Sequence, residues 1–282
     1  MSAIEEIILR NDRRGISALK PFLPDDFCTE AAQYILDNWG AAIVCTGFYI
    51  RAAGAPETDG PPGAVFIGRA LENLGYSVTH VTDIYSSPVL KGPVPADRIV
   101  EFPVADEQSS RQYADNLLKE LKPSVLISIE RGGMTRDGLY LNMRGVDFSP
   151  YNAKVDYLFS GQVPSVGIGD GGNEIGMGNL AEEIPQFDTL PDNPAVTCVD
   201  KLVIASVSNW GGYGLIAALS VLAGKNLLPS MQEEEDMIRR MVDAGAVDGV
   251  SGNKGYLVDA FPLAENGNAL AALHADLSEH GL

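Results

Sequence analysis

The chain has 282 residues, of which 45% are hydrophobic and 21% are charged. This composition is ordinary for a globular protein, so a disordered, collagen-like or coiled-coil chain is excluded. Lys and Arg number 20 against 38 Asp and Glu, which gives a formal net charge of −18. Nucleic acids and anionic membranes bind through clustered Lys and Arg, so neither is expected as a partner.

Short runs rich in Val and Ile alternate with helical patterns along the chain. Strands are predicted at Ala42–Thr46, Ser77–Asp83, Arg98–Phe102, Val125–Glu130, Ser165–Asp170 and Lys201–Ser206. Helices are predicted at Met1–Arg14, Pro62–Leu74, Gln108–Leu121, Ala153–Phe159, Tyr213–Ala223, Gln232–Asp243 and Leu263–His280. The alternation predicts an α/β fold with a mostly parallel, Rossmann-like sheet, helices on both faces and long glycine-rich loops at the C-terminal ends of the strands. No repeat or low-complexity linker interrupts it, so a single domain over residues 1–282 is expected.

The cysteines and the N-terminal segment bear on the cellular compartment. Cys28, Cys45 and Cys198 are odd in number and widely spaced, which fits neither a disulfide framework nor a zinc site. Met1–Arg14 lacks the apolar stretch and the small-residue cleavage site of a signal peptide. We therefore expect a cytoplasmic protein, with a homo-oligomer left open.

A long loop follows the first predicted strand and leads into the helix predicted at Pro62. Loops of this length in compact domains are usually functional or disordered. Its glycines allow close backbone approach, and the free N–H groups of the helix are suited to an anion. Asp59 either caps this helix or binds a cation, and both interpretations stay open.

A carboxylate ends the fourth predicted strand. Because an isolated buried charge is prohibitively costly, Glu130 must be paired, hydrated or bound to a metal. Arg131 or Arg144 could neutralise it in a simple ion pair. The alternative is that Glu130, Asp137 and Asp147, which lie within eighteen residues, converge on a cation.

The turn after the fifth predicted strand is rich in glycine and oxygen ligands. Gly167–Gly172 matches G-x-G-x-x-G, the pattern of dinucleotide sites. That pattern belongs to a first βαβ unit, and Asp170 and Glu174 would repel a pyrophosphate, so no nucleotide cofactor is expected. Asp170, Asn173 and Glu174 instead offer the oxygen ligands that a hard divalent cation prefers.

The turn after the sixth predicted strand opens a helix. Asn209 and the N–H groups that follow it are suited to orienting a substrate carboxylate, while Trp210 is either a core residue or a wall of the pocket. Gly245–Gly255 either forms an edge of the pocket or simply joins two helices. No Ser-His-Asp or Cys-His arrangement and no phosphate-binding P-loop can be assembled from the sequence.

Six ordered strings resemble the D-glutamate cyclase C-terminal domain family. They are Thr46–Tyr49, Gly54–Gly63, Ile129–Arg131, Asn142–Asp147, Gly167–Gly178 and Val207–Gly211, and they cover roughly Gly15 to Val258. The resemblance implies an α/β fold and conversion of D-glutamate to 5-oxo-D-proline and water. The enzyme after which the family is named carries a further N-terminal domain similar to hydro-lyases, and we expect this chain to have no room for it. We expect cyclase activity either to reside in this half or to require the other.

Stand-alone members of the family imply instead a divalent metal site and metal-dependent phosphatase activity. The hypothesis we favour is a metal-assisted lyase that acts on a small anionic substrate; the alternatives are a phosphatase and a non-catalytic module that binds a metal or an amino acid. Candidate catalytic residues are Asp59, Glu130, Asp170 and Glu174. Predicted ligands of Mg²⁺ or Mn²⁺ are Glu130, Asp147, Asp170 and Glu174, with Asp59 added in the phosphatase. Candidate substrate-binding residues are Arg51, Arg131, Arg144, Gly171, Gly172, Asn173 and Asn209.

Overall fold

A six-stranded parallel sheet forms the centre of the computed structural model, which describes residues 3–282. Its strands are β1 (Ala41–Gly47), β2 (Ser77–Thr82), β3 (Ile99–Glu101), β4 (Val125–Arg131), β5 (Ser165–Gly169) and β6 (Lys201–Ile204). Their order across the sheet is β3-β2-β1-β4-β5-β6. This is the strand order of the doubly wound Rossmann fold, so the predicted strands and the fold class are confirmed.

Helices surround the sheet. They are α1 (Ala3–Ile8), α2 (Phe27–Asp37), α3 (Pro61–Asn73), α4 (Ser87–Leu90), α5 (Glu107–Leu121), α6 (Ser208–Ala223), α7 (Met231–Asp243) and α8 (Leu263–Glu279). Alternate β1 side chains pack on opposite sides of the sheet: Val44 lies in a core with α2, α3 and α6, whereas Ile43 and Cys45 lie in a second core with α5. No helix within residues 3–282 combines the length and apolarity needed to cross a bilayer.

Two helix predictions beyond the first strand need correction. The segment predicted as a helix at 153–159 forms only the 3₁₀ turn Val155–Phe159. Helix α6 begins at Ser208, five residues before the predicted start. The first turns of α6 contain Gly211, Gly212 and Gly214, and glycine has a low helix propensity, so the sequence does not predict a helix there. They are required by packing, because a Cβ on Gly211 would lie 2.7 Å from the side chain of Ile168 in β5.

The N-terminal helix is much shorter than predicted. Helix α1 ends at Ile8, and the first two residues of the predicted segment lie outside the described part of the chain. Asp12 then accepts hydrogen bonds from the backbone N–H groups of Arg14, Gly15 and Ser17, which stabilises a turn instead of a helix. This turn directs Arg14 to the carboxyl end of the sheet.

Candidate active site

A cavity of about 560 Å³ opens at the carboxyl edge of the sheet. The acidic residues that line it, called the floor below, are Glu57, Glu130, Asp170 and Glu174. Glu57 follows β1 and Glu130 ends β4. These two strands are neighbours in the sheet, and the chain continues from them towards opposite edges. Ligands of open α/β sheets bind at such a switch point. The cavity therefore lies where the fold places a functional site.

A bulge in β4 positions Glu130. Thr46 pairs with Ile129 and Gly47 pairs with Arg131, so Glu130 is an extra residue in the ladder. Its φ of 43° lies in the left-handed region, which is strained for a residue with a side chain. Gly60 allows the close approach, since a Cβ there would lie 2.5 Å from the Glu130 Cβ. Bulges commonly redirect a side chain next to a functional site.

Asp59 caps a helix, but a different helix from the one predicted. Its Oδ2 accepts the N–H of Ser208 at 2.8 Å, and its Oδ1 accepts the N–H of Asn209 at 2.8 Å, both at the start of α6. Asn209 reciprocates at the start of α3, where its Oδ1 accepts the N–H groups of Gly60 and Gly63. The buried amide of Asn209 does not line the cavity, so its predicted contact with substrate is replaced by this structural role.

Removal of the Asn209 amide is expected to destabilise the protein. Asn209→Ala leaves the buried N–H of Gly63 without its acceptor, whereas the N–H of Gly60 keeps Asp59 Oδ1 as a second acceptor at 2.9 Å. We therefore expect the free energy of unfolding to fall by about 1–3 kcal/mol. Urea denaturation measures it. The exposed Asn268→Ala serves as the control, with an expected change within about 0.5 kcal/mol; equal losses in the two variants would contradict the reciprocal capping.

The turn after β5 is organised by Glu174. Its two carboxylate oxygens accept the N–H groups of Gly171 and Gly172, each at 2.8 Å. These N–H groups are therefore engaged within the protein and do not meet the expectation that they bind substrate. Asn173 differs, because its buried Oδ1 accepts no hydrogen bond from the described residues and its side chain lines the cavity.

Six buried carboxylates lie within electrostatic reach of one another at this edge. They are Glu57, Asp59, Glu130, Asp170, Glu174 and Asp259. One oxygen from each of Asp59, Glu130 and Asp170 lies within 4.8 Å of the others. Across residues 3–282, the only ion pairs to the six come from Arg14, which contacts Asp170 and Asp259. Their negative charge thus exceeds the positive charge that pairs with it.

Burial governs the protonation of these groups. Removal from water, reinforced by the charge of Asp259, raises the pKa of Asp59 to about 7. Burial and the charges of Glu174 and Glu57 raise the pKa of Glu130 well above its ordinary value. The pKa of Glu57 is likewise raised well above its ordinary value, first by burial and then by Asp259. Such shifts indicate carboxylates that lack a counter-ion.

The donor set fits a hard divalent cation. Every atom offered by Asp59, Glu130 and Asp170 is a carboxylate oxygen, which is the ligand that Mg²⁺ and Mn²⁺ prefer. Apart from the ion pair with Arg14, Asp170 Oδ2 has no partner in the described chain, and Glu57 Oε1 accepts no hydrogen bond there. A buried oxygen without a hydrogen-bond donor is costly; a cation would satisfy Asp170 Oδ2, and a donor of the substrate would satisfy Glu57 Oε1.

The predicted arginine clamps separate into two groups. Arg131 is fully buried, pairs with Asp83 at 2.6 Å and donates to the carbonyl oxygens of Gly47 and Ala153. The alternative in which Arg131 or Arg144 neutralises Glu130 is therefore wrong, and Arg131 does not line the cavity. Arg51 and Arg144 do line it, and both are exposed.

Asp147 lies apart from the predicted metal ligands. Its Oδ1 accepts hydrogen bonds from the backbone N–H and the hydroxyl of Ser149, and its side chain does not line the cavity. Its backbone carbonyl accepts a hydrogen bond from Arg51 at 2.7 Å. Asp147 therefore stabilises the loop next to Arg144 at the rim of the cavity, and its carboxylate is not one of the acidic groups that line the cavity.

Three residues of the site are absent from the predictions. Arg14 belongs to a segment predicted as helix, and Asp259 belongs to the turn of the short hairpin Leu257–Val258 and Phe261–Pro262. No local pattern marks either residue. Glu57 had a signal, because it lies two residues before Asp59 in the glycine-rich loop.

Two open interpretations are settled by position. Trp210 is fully buried, and its Nε1 donates to Asn266 Oδ1 at 2.9 Å, so it is a core residue. Gly249–Gly252 line the cavity, which confirms that this glycine-rich segment forms part of the edge of the pocket.

Comparisons with known proteins place the chain in a family. A family described as D-glutamate cyclase-like, C-terminal, matches residues 4–274. The human protein named D-glutamate cyclase, mitochondrial, is 30% identical over an alignment that spans 82% of this chain and 44% of that protein. An exopolyphosphatase-related protein from Bacteroides fragilis is 9% identical with a TM-score of 0.43 over 92% of this chain and 58% of the other, a likeness too low to support an argument. The chain belongs to the D-glutamate cyclase-like, C-terminal family.

Proposed function

We propose that this chain cyclises D-glutamate to 5-oxo-D-proline and water. The observation that carries the proposal is the group of buried carboxylates beneath a cavity whose rim holds Arg51 and Arg144. Membership of the family and the name of the human relative support a lyase of this type. The substrate has two carboxylates and one ammonium group, so it needs both cationic and anionic surroundings.

Asp59, Glu130 and Asp170 are the residues that would hold a divalent cation, Mg²⁺ or Mn²⁺. When bound, the cation supplies positive charge that helps a carboxylate oxygen leave as water. Asp59 and Glu130 are held in place by donors from the start of α6, since Ser208 donates its N–H to the first and its hydroxyl to the second. Fixed ligands of this kind lower the cost of assembling a metal site.

The remaining polar residues of the cavity are assigned to the substrate. Glu57, whose Oε1 accepts no hydrogen bond from the described residues, relays the two protons that the α-ammonium loses to the departing γ-carboxylate oxygen, so that the amine can attack and the oxygen leaves as water. Asn173 Oδ1 accepts an N–H of the same amine and orients it. Arg51 and Arg144 bind the α-carboxylate at the exposed rim.

Glu57→Gln tests the assignment of the base. A glutamine has the same shape and cannot take a proton at neutral pH, so we expect kcat to fall by about 10²–10⁴-fold. Binding of Mn²⁺, measured by isothermal titration, is expected to persist because the three assigned ligands are intact. Glu182→Gln, on an exposed side chain, is the matched control. Unchanged kcat in Glu57→Gln would contradict the role of Glu57.

The reaction itself is tested with purified protein, Mn²⁺ and either enantiomer of glutamate. We expect chiral chromatography to detect 5-oxo-D-proline from D-glutamate and much less product from L-glutamate. Hydrolysis of p-nitrophenyl phosphate without turnover of D-glutamate would replace the proposal with the phosphatase. Binding of Mn²⁺ without either reaction would replace it with the non-catalytic module.

A further inference from the structure

The cavity is larger than free D-glutamate requires. Its volume is about 560 Å³. D-Glutamate has ten non-hydrogen atoms, and even at the ~30 Å³ that one water molecule occupies in the liquid, ten such atoms fill roughly 300 Å³. Pockets of the observed size hold ligands larger than a single amino acid. About half of the space is therefore left for a group that free D-glutamate does not have.

The walls of this extra space are apolar. Ile50, Met143, Val146 and Val250 line the cavity together with the two arginines of the rim. Val146 is 42% exposed and Val250 is 46% exposed, and they belong to different loops that meet at the same cavity. Single exposed valines are unremarkable on a protein surface, but apolar side chains that converge on one pocket mark a ligand contact. D-Glutamate offers only two methylene groups, so these walls are suited to an additional apolar or aromatic group.

The charge of the floor favours a substrate whose reacting group is neutral. The six buried carboxylates carry more negative charge than one divalent cation and Arg14 can balance, so a γ-carboxylate placed beside Glu57 and Glu130 meets excess negative charge in a buried setting, where repulsion is weakly screened. An amide at the γ-carbon carries no charge and avoids this repulsion. Arg51 and Arg144 bind the α-carboxylate of the amide, as they do that of D-glutamate.

We propose that the site also cyclises γ-D-glutamyl amides that carry an apolar or aromatic amine at the γ-carbon. This rests on the proposed function and extends its substrate class. The α-amine nitrogen forms a bond with the γ-carbonyl carbon, and the bond from that carbon to the substituent nitrogen breaks. One proton moves from the attacking nitrogen to the leaving amine. The products are 5-oxo-D-proline and the free amine, and the reaction consumes no oxidant, reductant or water.

γ-D-Glutamyl-4-nitroanilide is the probe, because release of 4-nitroaniline is followed by its absorbance. With the Mn²⁺-loaded full chain, we expect kcat/KM at least about 10-fold above that for D-glutamate, and little turnover of the γ-L-glutamyl enantiomer. Turnover of D-glutamate without turnover of the nitroanilide would overturn this inference and leave the proposed function standing. Turnover of the nitroanilide alone would support the inference and overturn the proposed function, and turnover of neither would overturn both.

A double variant tests the apolar walls. Val146→Ser with Val250→Ser is expected to lower kcat/KM for the nitroanilide by about 10-fold and to affect D-glutamate less, because only the nitroanilide has a group that reaches them. Val104→Ser is the matched control, since Val104 is 38% exposed and does not line the cavity. Equal effects of the double variant on both substrates, or no effect on either, would overturn the assignment of these walls.

Discussion

Glu130→Gln is expected to raise the melting temperature of the metal-free protein while abolishing its binding of Mn²⁺. Glu130 is buried beside Glu174, Glu57 and Asp59 without an ion pair from the described residues, so its charge destabilises the folded chain. A glutamine removes that charge and keeps an oxygen that can accept the hydroxyl of Ser208. Each kcal/mol recovered raises the Tm of a domain of this size by roughly 2–4 °C.

Two measurements on the same sample test this variant. Differential scanning calorimetry in EDTA gives the Tm, and isothermal titration with Mn²⁺ gives the affinity. A gain of stability with a loss of function is the pattern expected where charges are held together for binding. A variant with a lower Tm and unchanged Mn²⁺ affinity would show that Glu130 is a structural residue. Glu182→Gln, an exposed charge, is expected to change neither quantity.

The metal-free protein is expected to lose stability as the pH rises from about 5 to 7.5. Burial raises the pKa of Asp59 to about 7 in the folded chain, against 3.8 for the ordinary group. The folded state therefore binds more protons than the unfolded state between these values, and the free energy of unfolding falls with rising pH. The raised pKa of Glu130 acts in the same direction. Urea denaturation in EDTA at several pH values measures the slope.

Mn²⁺ is expected to reverse this trend. Carboxylate ligands must be deprotonated to bind a metal, so the stabilisation by Mn²⁺ is larger at pH 7.5 than at pH 5. At about 100 times the dissociation constant, a ligand adds about 2.7 kcal/mol to the free energy of unfolding. Glu130→Gln is expected to reduce the pH dependence in EDTA to the part that Asp59 contributes, and to remove the response to Mn²⁺. If the stability of the metal-free protein instead rises over this pH range, the carboxylates are not buried without a counter-ion as described.

The sequence alone predicts the sheet, and its candidate catalytic residues include all three residues at the centre of the acidic group. Runs of β-branched residues are strong local signals, and the carboxyl ends of parallel strands meet at one edge. Glu130 and Asp170 could therefore be assigned to one site before any contact was known. Asp59 could be placed near them, although the helix that it caps could not, because α6 is distant in the sequence.

The residues that the sequence analysis missed or misassigned make contacts with residues far away in the chain, and no periodic sequence pattern marks such contacts. Arg14 reaches Asp170 across more than 150 positions of the chain because of the turn that Asp12 stabilises. Arg131 follows Glu130 directly, but the bulge directs the two side chains to different partners, and Arg131 pairs with Asp83. The sequence around Gly171 is typical of an anion-binding turn, but the N–H of Gly171 donates to the carboxylate of Glu174 and is not available to a ligand. Such outcomes are decided by tertiary structure.

The proposed reaction requires that the buried carboxylates hold a divalent cation on which cyclisation depends. The direct test is the turnover of D-glutamate by EDTA-treated protein, followed by chiral chromatography of 5-oxo-D-proline before and after addition of Mn²⁺. We predict no product above the uncatalysed rate in EDTA and formation of 5-oxo-D-proline once Mn²⁺ is restored. Equal turnover with and without Mn²⁺, or no turnover in its presence, would show that these carboxylates do not support a cation-dependent cyclisation.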